Sequence, residues 1–467
     1  MLSILPLLLA PSAPTPCAVP LAVVAPNRLQ EADQDAEEAL ARALETLEKR
    51  RYRDAWRQLE DVAEEWPESR AGNEARRRVD PDGLLGVRDV LRSGPDENRA
   101  VVVLFQDGLT LERLRVFDDL AEDVPSILAR EPVFAEYLGY VNFLQAHVVS
   151  EEDGFDGHGR KVRTALGAYL VPGEAGEHIR SDPERVWAAA ELATERPAAP
   201  IVFVQGAPRG TGEDGVATVG GRDANELLHQ FGRAFVGLEA EFATPTGYRT
   251  EFVPGPNVSR SADPEEVPWA HWIRAKAPGI GVYPGAARQV NGVFKPKVSG
   301  CRMEDFGSVF CPVCREATLL RLHEFVDPIE RVSVLAESGA GEGASWNGDQ
   351  KLEFEVEVLQ PATHDLRVEW YVLAAEDVPA ELPDPTVRPR SARGALYEVP
   401  VEPVARTRGK KGVHRFRWKP SEHEPGRWRL VVRVFDDTKL RGEKLPWVLK
   451  DEHGLLASER GWWIERR

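Results

Sequence analysis

Apolar positions along this chain change their period several times, and each change marks an expected unit of architecture. Between residues 31 and 80, Ala36, Leu40, Ala43, Leu44 and Leu47 form one helical stripe. Tyr52, Ala55, Trp56, Leu59, Ala63 and Trp66 form a second, closed by Pro67. The polar stretch from residue 81 to 99, with its Ser-Gly-Pro turn signal, reads as a linker. The unbroken apolar run at 100–105 (AVVVLF) reads as a buried strand, and 141–149 and 201–204 read as a second and a third. They alternate with helical patterns over 111–129 and 182–194, which predicts an α/β domain. After residue 330 the period becomes two: LEFEVEVL at 352–359 alternates strictly, and further strand-like runs lie at 331–336, 366–373, 413–418 and 428–435. Gly- and Pro-rich loops between them predict a β-sandwich. The expected division is a leader over 1–26, a helical hairpin over 27–80, the linker over 81–99, the α/β domain over 100–329 and the sandwich over 330–467.

The stretch over residues 223–241, DANELLHQFGRAFVGLEAE, predicts a buried helix of about four turns. Gly220 and Gly221 precede it, Asp223 is placed to cap it, and Glu226 stands at the capping-box position. Leu227, Leu228, Phe231, Phe235 and Leu238 share one face, while His229 and Arg233 lie one turn apart. His229-Gln230-Phe231-Gly232-Arg233 has the spacing of the zinc helix H-E-x-x-H, in which two histidines hold zinc and the Glu is the general base. His229 keeps the first ligand position. Gln230 is an amide and no base near neutral pH, and Arg233 is a fixed cation with no lone pair for a metal. A cation there is expected to pair with Glu239 or Glu241.

Further blocks in the same order carry a resemblance that covers about half the chain. These are Gln106-Asp107-Gly108-Leu109-Thr110 after the first strand, Asn142 followed by Val148-Val149-Ser150, and Thr164-Ala165-Leu166-Gly167. Gly215-Val216-Ala217-Thr218-Val219 stands just before the helix. Downstream come Asn257-Val258-Ser259, Trp269-Ala270-His271, Tyr283-Pro284-Gly285-Ala286, Cys301-Arg302-Met303 and Phe310-Cys311-Pro312-Val313-Cys314. The span 100–329 resembles the IgA-peptidase family of zincin-type zinc metallopeptidases, secreted bacterial enzymes. The resemblance implies a zincin-like fold in that span. It also implies an active site that this chain has lost in part, because Ala240 stands where the family usually has an acidic residue, although Glu241 persists. The expected function is therefore a pseudopeptidase acting in binding or assembly, with no catalytic residue, His229 as a vestigial metal position, and Arg233 and Glu241 in the cleft. The alternative is an active metallopeptidase with rearranged ligands, drawn from His147, His158, His178 or His271, which alone would require zinc.

Composition narrows the partners. A formal net charge of −17 over 467 residues, with no long basic run, argues against nucleic acid and leaves protein or peptide as the expected partner. The apolar run over 2–10 suits a signal-peptide core and is too short to span a bilayer, so export without an integral membrane span in the mature chain is expected; a plain leader is the other reading. Of four cysteines, Cys17 lies in the leader. In an exported protein, a disulfide from Cys301 to Cys311 or Cys314 is expected. A zinc site with His323 as fourth ligand is the other reading of that trio. The helical hairpin resembles a single tetratricopeptide-like pair, which must pack on a neighbour or bind a partner. Residues 427–436, RWRLVVRVFD, resemble the last strands of an immunoglobulin-like module, and the tryptophans of that region read as core.

Overall fold

A computed structural model describes residues 26–81, 83–172, 176–244, 253–335, 345–394, 396–409 and 412–467. The leader, including Cys17, lies outside the described residues up to Pro26. Three helices open the chain: α1 (Pro26–Glu48), α2 (Tyr52–Glu65) and α3 (Arg70–Arg78). Their common core of Ala36, Leu40, Ala43, Tyr52, Leu59, Val62, Ala71 and Ala75 also takes in Leu85 and Leu114 from the next domain. The hairpin therefore packs on a neighbour. The junction is polar at its centre, where Tyr52 Oη donates to Asp118 Oδ1 at 2.5 Å and lies 2.9 Å from His147 Nε2.

The stretch expected as a linker carries β1 (Gly86–Leu91), which pairs antiparallel with a strand of the main sheet. Its Val-Arg-Asp-Val sequence is too polar to read as a buried strand, as suits a sheet edge. The sheet continues with β2 (Ala100–Asp107) and, after α4 (Val116–Leu128) and α5 (Pro132–Glu136), with β3 (Val141–His147). A small ribbon of β4 (Tyr169–Val171) and β5 (His178–Arg180) leads to α6 (Pro183–Ala193), β6 (Ala198–Val204), β7 (Thr211–Glu213) and β8 (Val216–Gly220). The strand order is β1-β3-β2-β6-β8-β7, parallel through the middle four and antiparallel at both edges. Both faces are covered. Ala100, Val102 and Leu104 point into the core that holds α4, and Val101, Val103 and Phe105 into the core that holds α6.

Several of the separated sequence blocks meet at one carboxylate. Asp107 is buried and accepts from Leu166 N at 3.0 Å, Ala168 N at 2.8 Å, Thr164 Oγ1 at 2.9 Å and Ser150 Oγ at 3.2 Å. Gly108 turns the chain there at φ +68°, and a Cβ on it would lie 1.9 Å from Gly154 O, so only glycine fits.

Beyond the sheet come α7 (Ala224–Phe231), α8 (Ala270–Arg274), the ribbon β9 (Tyr283–Ala286) and β10 (Gln289–Lys295), and α9 (Pro312–His323). The C-terminal strands are β11 (Ile329–Leu335), β12 (Ser345–Asn347), β13 (Leu352–Val358), β14 (Arg367–Ala374), β15 (Ala405–Thr407), β16 (Val413–Trp418), β17 (Gly426–Phe435) and β18 (Ala457–Arg466). A three-stranded sheet, β11-β13-β16, faces a five-stranded one, β12-β18-β17-β14-β15. Trp346, Trp370, Trp418 and Trp462 fill the space between them, so these tryptophans are core. The chain is thus a mixed α/β protein with a β-sandwich. Among the described residues no helix is long and apolar enough to cross a membrane.

The sandwich is fastened to the α/β domain by a buried polar knot. His364 lies 2.7 Å from Glu136 Oε1 and 2.9 Å from Asp436 Oδ1, Tyr137 Oη donates to Asp436 Oδ2 at 2.8 Å, and His323 Nε2 is 3.7 Å from that oxygen. Burial works against the His364 cation, but its two carboxylate partners outweigh it and raise its pKa above 6.5. A raised histidine contributes stability that is full below about 6.5 and is lost as pH rises through the folded value. Chemical denaturation of the whole chain should therefore show this contribution to stability falling as pH rises above about 6.5. His364→Gln should flatten that fall.

Candidate functional site

Helix α7 begins as its cap requires. Asp223 Oδ1 accepts from Asn225 N at 2.9 Å and Glu226 N at 3.4 Å. Its helical backbone runs from Ala224 to Val236, close to the length expected from its apolar face, but not as regular α-helix throughout. After Phe231 the backbone widens into a π-type turn, Gly232–Val236, and Gly237 ends it with φ 77°. Leu238 still reaches the core, but Glu239 and Glu241 belong to extended chain beyond the helix.

Glu226 does not close a capping box. Its carboxylate accepts from Gly210 N, beside the edge strand β7. Gln230 Nε2 donates to Gly210 O at 3.0 Å, and Arg233 Nε donates to Gly212 O at 3.3 Å. Residues 226, 230 and 233 fall on one helical face, so three polar side chains hold the backbone of one sheet edge. The approach is close: a Cβ on Gly212 would lie 2.4 Å from Gln230 O. An amide at 230 suits this role, because its NH2 donates to a carbonyl that a carboxylate would repel.

His229 is 2% exposed and stacks on Phe306 with ring centroids 4.2 Å apart. Its Nδ1 lies 3.1 Å from Arg302 O; a carbonyl can only accept, so Nδ1 carries the proton and the lone pair sits on Nε2. Burial first, and the Arg233 cation second, lower its pKa to about 3, so the ring is neutral at any physiological pH. That is the state of a metal ligand, but the surroundings are not those of a metal. Arg233, 9% exposed, donates through Nη1 to Glu239 Oε1 at 2.6 Å and approaches Glu213 at 3.9 Å. The cavity above His229 measures about 50 Å³ and is lined by Arg209, Arg233, Arg288, His178 and Phe306 among others. It has room for a few waters. Arg209 and Arg288 join the paired Arg233 in a wall whose one carboxylate among the described residues is Glu213, and that surplus of positive charge repels a divalent cation. Ala240, at the acidic position of the resemblance, has no donor to add. Zinc does not fit at His229. Of the paired carboxylates expected for Arg233, Glu239 is the partner and Glu241 is not.

The other histidines do not assemble a replacement. His147 is buried against Tyr52 and Asp118, exposed His158 is 3.4 Å from Glu177, and His271 is 2.6 Å from Glu316 Oε2. His178 alone of these four lines the cavity of His229.

Glu241 points away from Arg233 to the three cysteines. Cys301, Cys311 and Cys314 are buried and free, with Cys301 Sγ 3.7 Å from Cys314 Sγ, far beyond the roughly 2 Å of a disulfide. Glu241 Oε1 lies 3.0 Å from Cys314 Sγ, 3.4 Å from Cys301 Sγ and 2.9 Å from Asn257 Nδ2. Burial pushes the Glu241 carboxyl well above its usual range and the Cys301 thiol up to about 12. Hydrogen bonds from Cys301 and then Cys314 pull Cys311 down to about 5. His323, the fourth ligand considered for these cysteines, instead donates from Nδ1 to Leu319 O at 3.0 Å and turns Nε2 to Asp436 in the sandwich interface. The fourth group at the cysteines is Glu241. The spacing Cys-x-x-Cys pointed to the trio, and nothing local in the sequence pointed to a carboxylate 60 residues before it.

No protein-family model and no curated protein matches the chain.

Arg233→Met should leave Glu239 without its cation and cost about 3 kcal/mol in urea unfolding. Arg233→Met combined with Glu239→Gln should recover most of that loss. Gln230→Glu should cost about 1–3 kcal/mol, because a carboxylate would face the Gly210 carbonyl.

Proposed function

We propose that the protein is an exported, non-catalytic pseudopeptidase on a zincin-like scaffold similar to that of the IgA-peptidase family, acting in binding or assembly. One observation carries the reading: at the position of the second zinc ligand stands a buried arginine, already neutralised by Glu239 at 2.6 Å. General-base chemistry is missing as well, since Gln230 spends its amide on the sheet edge. The apolar leader at 2–10 and the secreted character of the family it resembles support export. What the narrow cationic cavity accepts is a small anionic group, such as a carboxylate of an acidic peptide, at its mouth. The larger interaction surfaces are the outer face of the helical hairpin and the sandwich.

A working hydrolase is the second reading, favoured by His178 and His229 sharing one cavity. Against it stand the three arginines in the same wall and the amide of Gln230 at the base position. Purified full-length chain, with or without added zinc, should leave unlabelled and fluorogenic peptides intact. Hydrolysis that disappears in His229→Ala would overturn the non-catalytic reading. A hexaglutamate peptide should bind in a salt-dependent way and about tenfold more weakly to Arg209→Gln, a difference of about 1.4 kcal/mol. Equal affinity for a neutral peptide would remove the anionic cavity from the proposal.

A further inference from the structure

Four donors from three separate segments converge in the core beneath α7. Glu241 follows the turn that ends the helix, Cys301 precedes the 302–310 loop, Cys311 is the N-cap residue of α9, and Cys314 lies in its first turn. All four side chains are buried, and one ligand atom from each lies within 4.8 Å of all the others. A tetrahedral zinc with Zn–S bonds of about 2.3 Å separates two sulfurs by about 3.8 Å. Cys301 and Cys314 are 3.7 Å apart. Three thiols alone would make an ordinary apolar pocket. A carboxylate among them does not, and Glu241 Oε2 is buried there with no hydrogen-bond partner.

We propose that Glu241, Cys301, Cys311 and Cys314 hold one structural zinc ion. The donor set selects the metal. Three soft sulfurs exclude calcium and magnesium, and four ligands in a closed, buried site match structural rather than catalytic zinc. The surroundings offset the negative charge that three thiolates and a carboxylate leave around a divalent ion. Cys311 and Cys314 sit where the free amides of the α9 N-terminus point, and Lys295, shared with Glu304 Oε1 at 2.8 Å, donates from Nζ to the Glu241 backbone carbonyl at 2.6 Å. The ion would tie the chain leaving α7 to the start of α9, with Glu241 N already donating to Met303 O at 2.7 Å. This site is distinct from the family-type position at His229 and does not depend on the proposed function.

The test is the metal content of the full-length chain purified without chelator. One zinc per chain is expected, retained in His229→Ala and lost in Cys314→Ser. Cobalt exchanged into the site should give thiolate-to-cobalt charge-transfer absorption, unchanged in His229→Ala. Should Cys314→Ser fail to fold, an organomercurial titration of the unaltered protein should release one zinc as three thiols react. A metal-free chain, whether its thiols are free or joined in a disulfide, overturns the proposal. So does zinc that leaves with His229→Ala, and only that outcome also overturns the non-catalytic reading.

Discussion

A guanidinium carried on a buried helix has to be neutralised where it sits, and Arg233 meets that demand at Glu239, 2.6 Å away. Much of the centre of the molecule is arranged around this pair. It fixes the extended chain beyond Gly237 and leaves Glu241 free to turn to the cysteines, while burial first and the Arg233 cation second keep His229 neutral. The same helix face reaches the edge of the sheet through Glu226 and Gln230. A site of the H-E-x-x-H pattern uses those helix positions for ligands and a base; here they hold structure together.

Other buried polar contacts do the equivalent work at the domain joints. Tyr52, Asp118 and His147 dock the helical hairpin, and Glu136, His364 and Asp436 fasten the sandwich. Each such group is satisfied only when both sides of the joint are present, so each specifies one arrangement as well as adding stability.

Periodicity sufficed where a segment is buried on a regular pattern. The runs at 100–105 and 352–359 became β2 and β13, and Asp223 caps the helix it was expected to cap. It failed where the deciding contact is distant. Leu238 prolongs the apolar face, yet Gly237 in the left-handed region stops the helix one residue earlier. The polar edge strand β1 looks like a linker until it is paired with β3. Glu226 has the spacing of a capping box but finds Gly210, 16 residues back, a stronger claim. The cysteine trio was visible, whereas its fourth member comes from 60 residues upstream, on the far side of α8 and the β9–β10 ribbon. His323 was closer in sequence and went to the sandwich interface instead.

The picture is therefore of a helix whose positions 229, 230 and 233 carry hydrogen bonds and an ion pair, while a separate closed site nearby offers four donors. Anomalous diffraction at the zinc edge, from crystals of the full-length chain grown without chelator, tests this most directly. A single peak among Cys301, Cys311, Cys314 and Glu241, with none at His229, is the expected result. A peak at His229 Nε2 would contradict it.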